Sequence, residues 1–159
     1  PGGQERQESV YLGLQAVRGR ADWVLIHDGA RPLVPAALIR QALSAAFQRK
    51  AAVAALPADE TVKEIPAEGE VLRTVDRRRL WMIQTPQAFE FSLILRAHEE
   101  ARKAGFAGTD DASLVERLGI PVKILPGSRF NLKITTPEDL VVAEAIWKYS
   151  PESGVGSSE

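Results

Sequence analysis

Short apolar runs alternate with helical patterns near the start of the chain, and this alternation limits the folds that are possible. Residues 23–26 and 51–56 are apolar runs bounded by polar residues or by Pro57. Between them, Pro35 opens a segment whose apolar side chains recur at helical spacing. Such runs are typical of strands that are buried on both faces, as in a parallel sheet. Strands that alternate with helices predict an α/β fold with a largely parallel sheet.

The later part of the chain repeats these signals. Thr136 is a predicted helix cap, Pro137 takes the first helical position, and the two acids that follow favour the positive end of the helix. The other predicted elements are a helix that ends before Gly19, helices at residues 88–104 and 109–118, and strands at 122–125 and 132–134. The Ser- and Gly-rich tail, residues 151–159, is predicted to be disordered.

Residues 62–75 follow a different pattern. Segments 62–65 and 71–75 flank a turn that contains Gly69, which predicts a β-hairpin. This hairpin carries few apolar residues, and an isolated two-stranded hairpin is only marginally stable in water. We therefore expect it to pack on the body of the protein or on a partner chain.

The composition excludes several classes of function. The 20 Lys and Arg residues against 21 Asp and Glu residues leave a net charge of −1, which argues against a nucleic-acid partner. The absence of cysteine excludes a disulfide framework, a zinc–thiolate site and a cysteine nucleophile. No run approaches the roughly 18 consecutive apolar residues of a membrane span, and there is no signal-peptide pattern. A cytoplasmic protein without a membrane partner is expected.

Asp28 and Arg31 directly follow the first apolar run. Ligands of open α/β sheets bind beyond the carboxyl ends of the strands, so the Asp28 carboxylate is placed where it can hold a divalent cation or a ligand hydroxyl. Mg²⁺ prefers a few carboxylates together with substrate phosphates, and the Arg31 guanidinium suits a phosphate. The structural alternative is that Asp28 caps a turn and pairs with Arg31.

Two other sets of residues allow both a functional and a structural interpretation. Gly2, Gly3, Arg6 and Ser9 could admit a ligand close to a helix start, or form a plain glycine turn with a serine cap. The three arginines at 77–79 form either a solvated face or a group that reaches a phosphate on a neighbouring subunit. The chain has neither GxGxxG nor GxxxxGK, so a main phosphate loop is absent from this sequence.

Lys133 lies on a predicted apolar strand. An unpaired ammonium group is costly to bury, so we expect its side chain to face a cleft or an anion.

Thr61, Thr85 and Thr109 fall at predicted strand ends or helix starts. The two histidines are expected to be structural: His27 packed or hydrogen-bonded, and His98 on a helix surface among charged neighbours.

Eight ordered segments together resemble one known family. They are residues 2–10, His27-Asp28-Gly29-Ala30-Arg31-Pro32, Asp59-Glu60-Thr61-Val62-Lys63, Thr74-Val75-Asp76-Arg77, Leu80-Trp81, Gln84-Thr85-Pro86-Gln87-Ala88-Phe89, Thr109-Asp110-Asp111-Ala112-Ser113 and residues 131–140. Their order and spacing are similar to those of the 2-C-methyl-D-erythritol 4-phosphate cytidylyltransferases. The resemblance covers nearly the whole chain except its tail.

This resemblance implies a Rossmann-like nucleotidyltransferase fold, truncated at its N-terminus, over residues 1–150. A protruding β-arm at residues 58–78 would join two subunits of a homodimer. The implied reaction is Mg²⁺-dependent transfer of CMP from CTP to 2-C-methyl-D-erythritol 4-phosphate, with release of pyrophosphate, in non-mevalonate isoprenoid biosynthesis. The family begins with a strand and a Gly-rich loop that nothing here matches. A preceding segment of about 70–80 residues is therefore expected, and the isolated chain is expected to be inactive.

The resemblance also implies roles for single residues. Gly3, Gln4 and Ser9 would lie near the cytosine, although Gln4 stands where the family often has other polar residues. Asp28 would contact the metal, the CTP ribose and the acceptor, and Lys133 would stabilise the phosphates at the reacting centre. These two would be the catalytic residues. The residues implied to bind the acceptor are Arg31, Thr61, Thr85 and Thr109, with Arg77 reaching it from the partner subunit.

Two alternatives remain open from the sequence. A cytidylyltransferase that acts on ribitol 5-phosphate shares the regions around Asp28 and Lys133. The segments 61–63 and 74–77 favour methylerythritol phosphate as the acceptor. The second alternative is a non-catalytic dimerisation or binding remnant that begins at Pro1.

Overall fold

The computed structural model describes residues 2–67 and 69–149. The elements in chain order are helix α1 (Arg6–Ala16), strand β1 (Trp23–Ile26), helix α2 (Ala36–Arg49), strands β2 (Ala51–Pro57), β3 (Lys63–Glu64) and β4 (Arg73–Thr74), a 3₁₀ turn (Arg77–Arg79), strand β5 (Trp81–Glu90), helices α3 (Phe91–Lys103) and α4 (Asp111–Arg117), strand β6 (Lys123–Pro126) and helix α5 (Pro137–Tyr149). The predicted tail, residues 151–159, lies outside the described residues.

Four strands form the main sheet in the order β1-β5-β2-β6. Strands β1 and β2 both pair antiparallel with β5, and β2 pairs parallel with β6. Three strands therefore run in one direction, as the α/β pattern predicts, and β5 runs against them. The carboxyl ends of β1 and β2 lie at one edge of the sheet, which is where Asp28 follows β1.

Two details of the predicted elements are wrong. Residues 88–90 belong to β5 and not to the following helix, which begins at Phe91. The buried middle of β5 contains Gln84, Thr85 and Gln87, and these polar residues interrupt the apolar run that would reveal a strand. Residues 132–134 do not form a strand, although Ile134 N donates to the Ala30 carbonyl at 2.8 Å.

The core lies on both faces of the sheet. On one face, helices α1, α3 and α4 pack their apolar side chains against Val53 of β2 and Phe89 of β5. On the other face, helix α2 packs on Ala52 and Ala54 of β2 and on Ala88 of β5. Successive residues of β2 thus point to opposite layers, and small alanine side chains let α2 approach the sheet closely. Both clusters remove apolar surface from water, which stabilises the three-layer arrangement.

The predicted hairpin is present as β3 and β4, which pair Lys63 with Thr74 and Glu64 with Arg73. The side chains of both strands are exposed. Apolar residues near the hairpin are also more than half exposed: Ile65 by 54%, Val71 by 57% and Leu72 by 64%. The hairpin, which we call the arm, therefore extends from the body without a core of its own in this chain.

The predicted start of α5 is confirmed. Asp139 N donates to Thr136 Oγ1 at 3.3 Å, and Asp139 Oδ2 accepts from Thr136 N at 2.9 Å. This reciprocal pair satisfies free N–H groups at the beginning of the helix. Across residues 2–67 and 69–149, the helices are too short or too polar to span a membrane.

Candidate active site

A cleft of about 720 Å³ opens at the edge of the sheet where β1 ends. Five of the residues predicted to bind or react line it: Asp28, Arg31, Thr85, Thr109 and Lys133. They come from distant parts of the chain, and the fold brings them together. Further lining residues that carry polar side chains are Arg6, Gln84, Gln87, Asp110, Ser113 and Glu116.

The Asp28 carboxylate lies among three cationic side chains. Its Oδ2 is 3.1 Å from Lys133 Nζ and 3.9 Å from Arg31 Nε, and its Oδ1 is 3.3 Å from Arg6 Nε. The structural alternative for Asp28 described a pairing with Arg31, and that pair is present. Lys133 and Arg6 add two further charges, so the arrangement exceeds what a turn cap needs. A site of this kind suits a polyanion bound beside a carboxylate.

Asp28 is fixed by a hydrogen-bond network behind the cleft. Asp28 N donates to Thr85 Oγ1 at 3.0 Å, and His27 Nε2 lies 2.9 Å from the Arg31 carbonyl. A carbonyl only accepts, so His27 Nε2 carries the hydrogen, and its Nδ1 then accepts from Thr85 Oγ1 at 3.1 Å. His27 is thus hydrogen-bonded, as expected. Thr85 holds the backbone from which Asp28 and Arg31 project.

Asn131 supports the same network, and sequence reasoning gave it no role. Its side chain is buried, and its Nδ2 donates to the Thr85 carbonyl at 2.7 Å. The Asn131 carbonyl accepts from Arg31 Nη1 at 2.7 Å. Arg31 Nε is buried and has no hydrogen-bond partner among the described residues. Arg31 therefore retains an N–H group that a ligand in the cleft could satisfy.

The charges in the cleft shift the pKa values of its residues. Burial disfavours the ionised form of Asp28, but the hydrogen bond and charge of Lys133, together with Arg6, outweigh it and hold the pKa of Asp28 below its ordinary value. Burial lowers the pKa of Arg31, and the Asp28 charge offsets part of that effect. For Arg6, burial is outweighed by Asp111 and then Asp28, which raise its pKa. The carboxylate and the guanidinium groups are therefore charged at neutral pH.

Arg6, which the sequence places beside a possible ligand site at a helix start, lines the cleft. Its Nη1 lies 2.8 Å from Asp111 Oδ2. Asp111 in turn accepts from His98 Nε2 at 2.9 Å. The expectation that His98 lies on a helix surface is wrong, because its side chain is completely buried. The charged neighbours of His98 point elsewhere, and Asp111 on α4 satisfies its ring nitrogen.

Thr109 belongs to a loop that is held by Gln7, another residue without a predicted role. Gln7 Nε2 donates to the Phe106 carbonyl at 3.1 Å, and Gly108 N donates to Gln7 Oε1 at 2.9 Å. The side-chain amide of Gln7, which lies on α1, thus contacts both Phe106 and Gly108 in the short segment before Thr109. Asp110, the next residue, caps α4 by accepting from Ser113 N at 2.9 Å.

The N-terminal candidates lie outside the residues that line the cleft. Gly3 N donates to Ser9 Oγ at 3.0 Å, and Gln4 N donates to Glu8 Oε2 at 2.8 Å. The bond to Ser9 closes the glycine turn that the sequence allowed, but the serine cap is wrong: Ser9 lies within α1, whose cap residue, Glu5, makes no side-chain cap bond. A contact of Gly3, Gln4 or Ser9 with cytosine stays a prediction.

Thr61 and Arg77 lie at the arm and are not lining residues of the cleft. Both are exposed. The Arg77 guanidinium donates to the Asp59 carbonyl, and the Asp59 carboxylate pairs with Arg129. Their contact with an acceptor, directly or across a dimer, stays a prediction.

Asp28 is the predicted ligand for a metal ion. No group of three or more His, Asp or Glu side chains suited to a metal is found in residues 2–67 and 69–149. Mg²⁺ in phosphate-transfer sites is typically held by one or two carboxylates together with phosphate oxygens and water. Asp110 and Glu116 also line the cleft, and Asp28 is the carboxylate there that lies among the cationic side chains, which fits that kind of binding.

Comparisons with known proteins agree on one family. The family model for 2-C-methyl-D-erythritol 4-phosphate cytidylyltransferase matches residues 1–149. A protein of that name from Geobacillus thermodenitrificans is 59% identical over 145 residues, which cover 91% of this chain and 63% of the relative. One from Syntrophus aciditrophicus is 51% identical over 147 residues, which cover 92% of this chain and 63% of the relative.

Solved structures lead to the same family. The cytidylyltransferase of Thermus thermophilus matches with a TM-score of 0.84 and 42% identity, covering 91% of this chain and 70% of that chain. A 4-diphosphocytidyl-2C-methyl-D-erythritol synthase from Anaerococcus prevotii matches with a TM-score of 0.84 and 36% identity, covering 92% of this chain and 66% of that chain. The chain spans about 63% of the length of its curated relatives. It belongs to the 2-C-methyl-D-erythritol 4-phosphate cytidylyltransferase family, and over the part that it spans it has that family's Rossmann-like nucleotidyltransferase fold.

Proposed function

We propose that this chain provides the acceptor side and part of the CTP side of an enzyme that transfers CMP from CTP to 2-C-methyl-D-erythritol 4-phosphate. The observation that carries the proposal is the position of Asp28 among Arg6, Arg31 and Lys133 in one cleft. Two phosphate-bearing substrates need several cations at one point, and the reaction named for the relatives joins two such substrates.

The chemistry requires positioning and charge stabilisation more than proton transfer. A phosphate oxygen of the acceptor attacks the α-phosphorus of CTP, a new P–O bond forms, and the bond to the leaving pyrophosphate breaks. The attacking oxygen is already anionic, so no general base is needed. Lys133 and Arg31 stabilise negative charge on the reacting phosphates, and Thr85 and Thr109 orient the acceptor. Such preorganised donors supply most of the catalysis in phosphoryl and nucleotidyl transfer.

Asp28 is the proposed ligand for Mg²⁺. When bound, the ion neutralises charge on the CTP phosphates as a Lewis acid. Asp28 itself orients Lys133, whose ammonium lies 3.1 Å from Asp28 Oδ2.

The proposed location is the cytoplasm, where CTP is available.

The proposal is tested by ³¹P NMR of the full-length protein with CTP, Mg²⁺ and either methylerythritol phosphate or ribitol 5-phosphate. We expect pyrophosphate and a CDP-linked product with methylerythritol phosphate. Preference for ribitol 5-phosphate would move the protein to the sister activity, and no transfer to either acceptor would favour the binding remnant. Asp28→Asn is expected to abolish most turnover, whereas Asp22→Asn, which changes an exposed residue just before β1, serves as the matched control.

A homodimer joined by the arm is part of the proposal. Three observations support it: the arm has no core of its own, Ile65, Val71 and Leu72 are more than half exposed, and Met82 at the base of the arm is 63% exposed. Exposed apolar patches of this kind mark protein–protein interfaces. Sedimentation equilibrium of the full-length protein should give twice the subunit mass, and a monomer at micromolar concentration would contradict the dimer.

Mixing two variants tests whether Arg77 acts on the partner's cleft. The acceptor concentration is kept low enough that neither Arg77→Ala nor Lys133→Ala turns over by itself. Mixed dimers of the two would have one cleft with both substitutions and one cleft with neither. Random mixing should then restore about a quarter of wild-type turnover. If Arg77 serves its own subunit, each cleft retains one substitution and the mixture stays inactive.

A further inference from the structure

We propose that His98 and Asp111 are positioning residues that act through Arg6 to orient the Asp28 carboxylate in the cleft. This inference rests on the proposed function and deepens it, because it assigns a role to two buried residues that do not line the cleft. We call His98, Asp111 and Arg6 the positioning network.

The inner part of the network is a buried pair between two helices. His98 on α3 donates from Nε2 to Asp111 Oδ1 on α4 at 2.9 Å. The side chains are 0% and 1% exposed. The Tyr11 ring stacks over the imidazole with 6.3 Å between centroids, so an aromatic group covers it. His98 fixes one carboxylate oxygen of Asp111, and the other oxygen lies beside the Arg6 guanidinium.

Arg6 connects this buried pair to the cleft. Its Nη1 lies 2.8 Å from Asp111 Oδ2, and its Nε lies 3.3 Å from Asp28 Oδ1. The guanidinium is a rigid plane with N–H groups in fixed directions. The Nη1–Oδ2 contact is an ion pair without hydrogen-bond geometry, since Asp111 Oδ2 is buried and accepts no hydrogen bond among the described residues. The charge of Asp111 thus restrains the guanidinium whose Nε donates to Asp28 Oδ1. A lysine has a single charged atom and cannot make both contacts in a defined geometry.

The outcome of this orientation is seen at Asp28. Arg6 engages Oδ1, so that Oδ2 is the oxygen that faces Lys133 at 3.1 Å and Arg31 at 3.9 Å. Without Arg6 the carboxylate could rotate about its own bond and share both oxygens with Lys133. A small displacement of reacting groups is costly, since a misplacement of about 1 Å can reduce a rate by about 100-fold.

Stability alone is a poor explanation for the buried pair. Replacing a buried ionic or polar pair with apolar residues is often neutral or stabilising. His98 Nδ1 is buried and has no hydrogen-bond partner among the described residues, which adds to the cost of keeping a histidine there. A role in holding Arg6 accounts for a polar pair at a position where apolar side chains would pack.

The test uses the full-length protein and variants at each step of the network. Asp111→Asn, Arg6→Lys and His98→Leu should each lower kcat about tenfold or more, with smaller changes in KM. His98→Gln can still donate to Asp111 and should retain more turnover than His98→Leu. Arg117→Lys on α4 is the matched control, since Arg117 packs on the Phe106 ring and does not belong to the network.

A double variant separates positioning from a structural role. If Asp111 acts through Arg6, adding Asp111→Asn to Arg6→Lys lowers kcat no further. Losses that multiply would overturn the proposal. So would variants whose melting temperature falls while kcat and KM of the folded enzyme stay at wild-type values.

A spectroscopic readout keeps this test separate from the proposed function. The Arg6 Nε–H resonance in ¹H–¹⁵N spectra should shift or broaden in His98→Leu and remain close to wild type in Arg117→Lys. An unchanged resonance in His98→Leu overturns the network whether or not the enzyme is active. Absence of CMP transfer by the wild-type protein, with the expected spectral change, would instead overturn the proposed function alone.

Discussion

The Lys133 ammonium lies 3.1 Å from Asp28 Oδ2, although Lys133 precedes α5 and Asp28 follows β1. A backbone bond from Ile134 N to the Ala30 carbonyl, at 2.8 Å, joins the two segments next to this ion pair. The chain thus closes one side of the cleft with two neighbouring contacts, one between side chains and one between backbones. The position of Lys133 is a property of the fold and not of its own flexible side chain alone.

Lys133→Ala should lower turnover far more than it lowers stability. The Lys133 side chain is 45% exposed, and a partly exposed ion pair contributes at most about 1 kcal/mol to folding. Loss of a donor aimed at transition-state charge typically costs about 2.7–4 kcal/mol, or about 100- to 1,000-fold in kcat. Steady-state kinetics and thermal unfolding of the full-length protein measure both effects. Lys103→Ala, which removes a surface pair with Glu100, is the control, and near-normal turnover of Lys133→Ala would contradict the prediction.

Arg77→Ala should weaken binding of the acceptor more than binding of CTP. The guanidinium is exposed on the 3₁₀ turn that follows β4, and the proposed function assigns it to the acceptor phosphate alone. A charge-assisted hydrogen bond contributes about 1.5–3 kcal/mol. Calorimetric titration of each substrate measures the two affinities, with Arg79→Ala from the same turn as the control. Equal losses for both substrates would argue against the assignment.

Asp28 should make stability depend on pH in the acid range. Lys133 and Arg6 hold its folded-state pKa below its ordinary value. The ionised carboxylate therefore stabilises the folded state above the unfolded pKa of about 3.9, and this contribution is lost as the pH falls through the lower folded pKa. Urea unfolding should show a gap between wild type and Asp28→Asn that is constant near neutrality and shrinks in acid. A gap that grows on acidification has the wrong sign for this account.

Gln7→Glu should loosen the loop that carries Thr109. The carboxylate can still accept from Gly108 N but cannot donate to the Phe106 carbonyl, which Gln7 Nε2 reaches at 3.1 Å. Leaving one partner without its hydrogen bond costs about 1–3 kcal/mol. We expect a lower melting temperature and a higher KM for the acceptor with little change in KM for CTP. Gln15→Glu on the same helix is the control, and the same change in both variants would assign the effect to helix charge.

The cleft could be predicted from the sequence because the apolar runs mark the strands. The polar residues that follow parallel strands meet at one edge of the sheet. Asp28 and Arg31 follow a clear apolar run, and an unpaired Lys133 on an apolar segment had to face an anion or a cleft. The structure brings all three together. Their assignment to particular substrates came from resemblance to a family and has no source in spacing or periodicity.

Other features had no such signal. Strand β5 is buried at the polar residues Gln84, Thr85 and Gln87. Their side chains form hydrogen bonds with residues that are distant in the chain. His98 looked solvated because its neighbours in sequence are charged, while the residue that makes its burial possible, Asp111, lies on the next helix. Long-range hydrogen bonds of this kind are fixed by tertiary packing and leave no local pattern.

The length of β5 has a consequence for the cleft. The strand spans ten residues, and its first residues pair with the end of β2 at the base of the arm. Thr85 lies a few residues further along the same strand and accepts the Asp28 N–H. β2 pairs with β5 on both sides of Thr85, at Ile83 and at Gln87, and β1 pairs with β5 from Gln87 to Glu90. The base of the arm and the hydroxyl that holds Asp28 therefore belong to one continuous strand, and the chain cannot place one of them without the other.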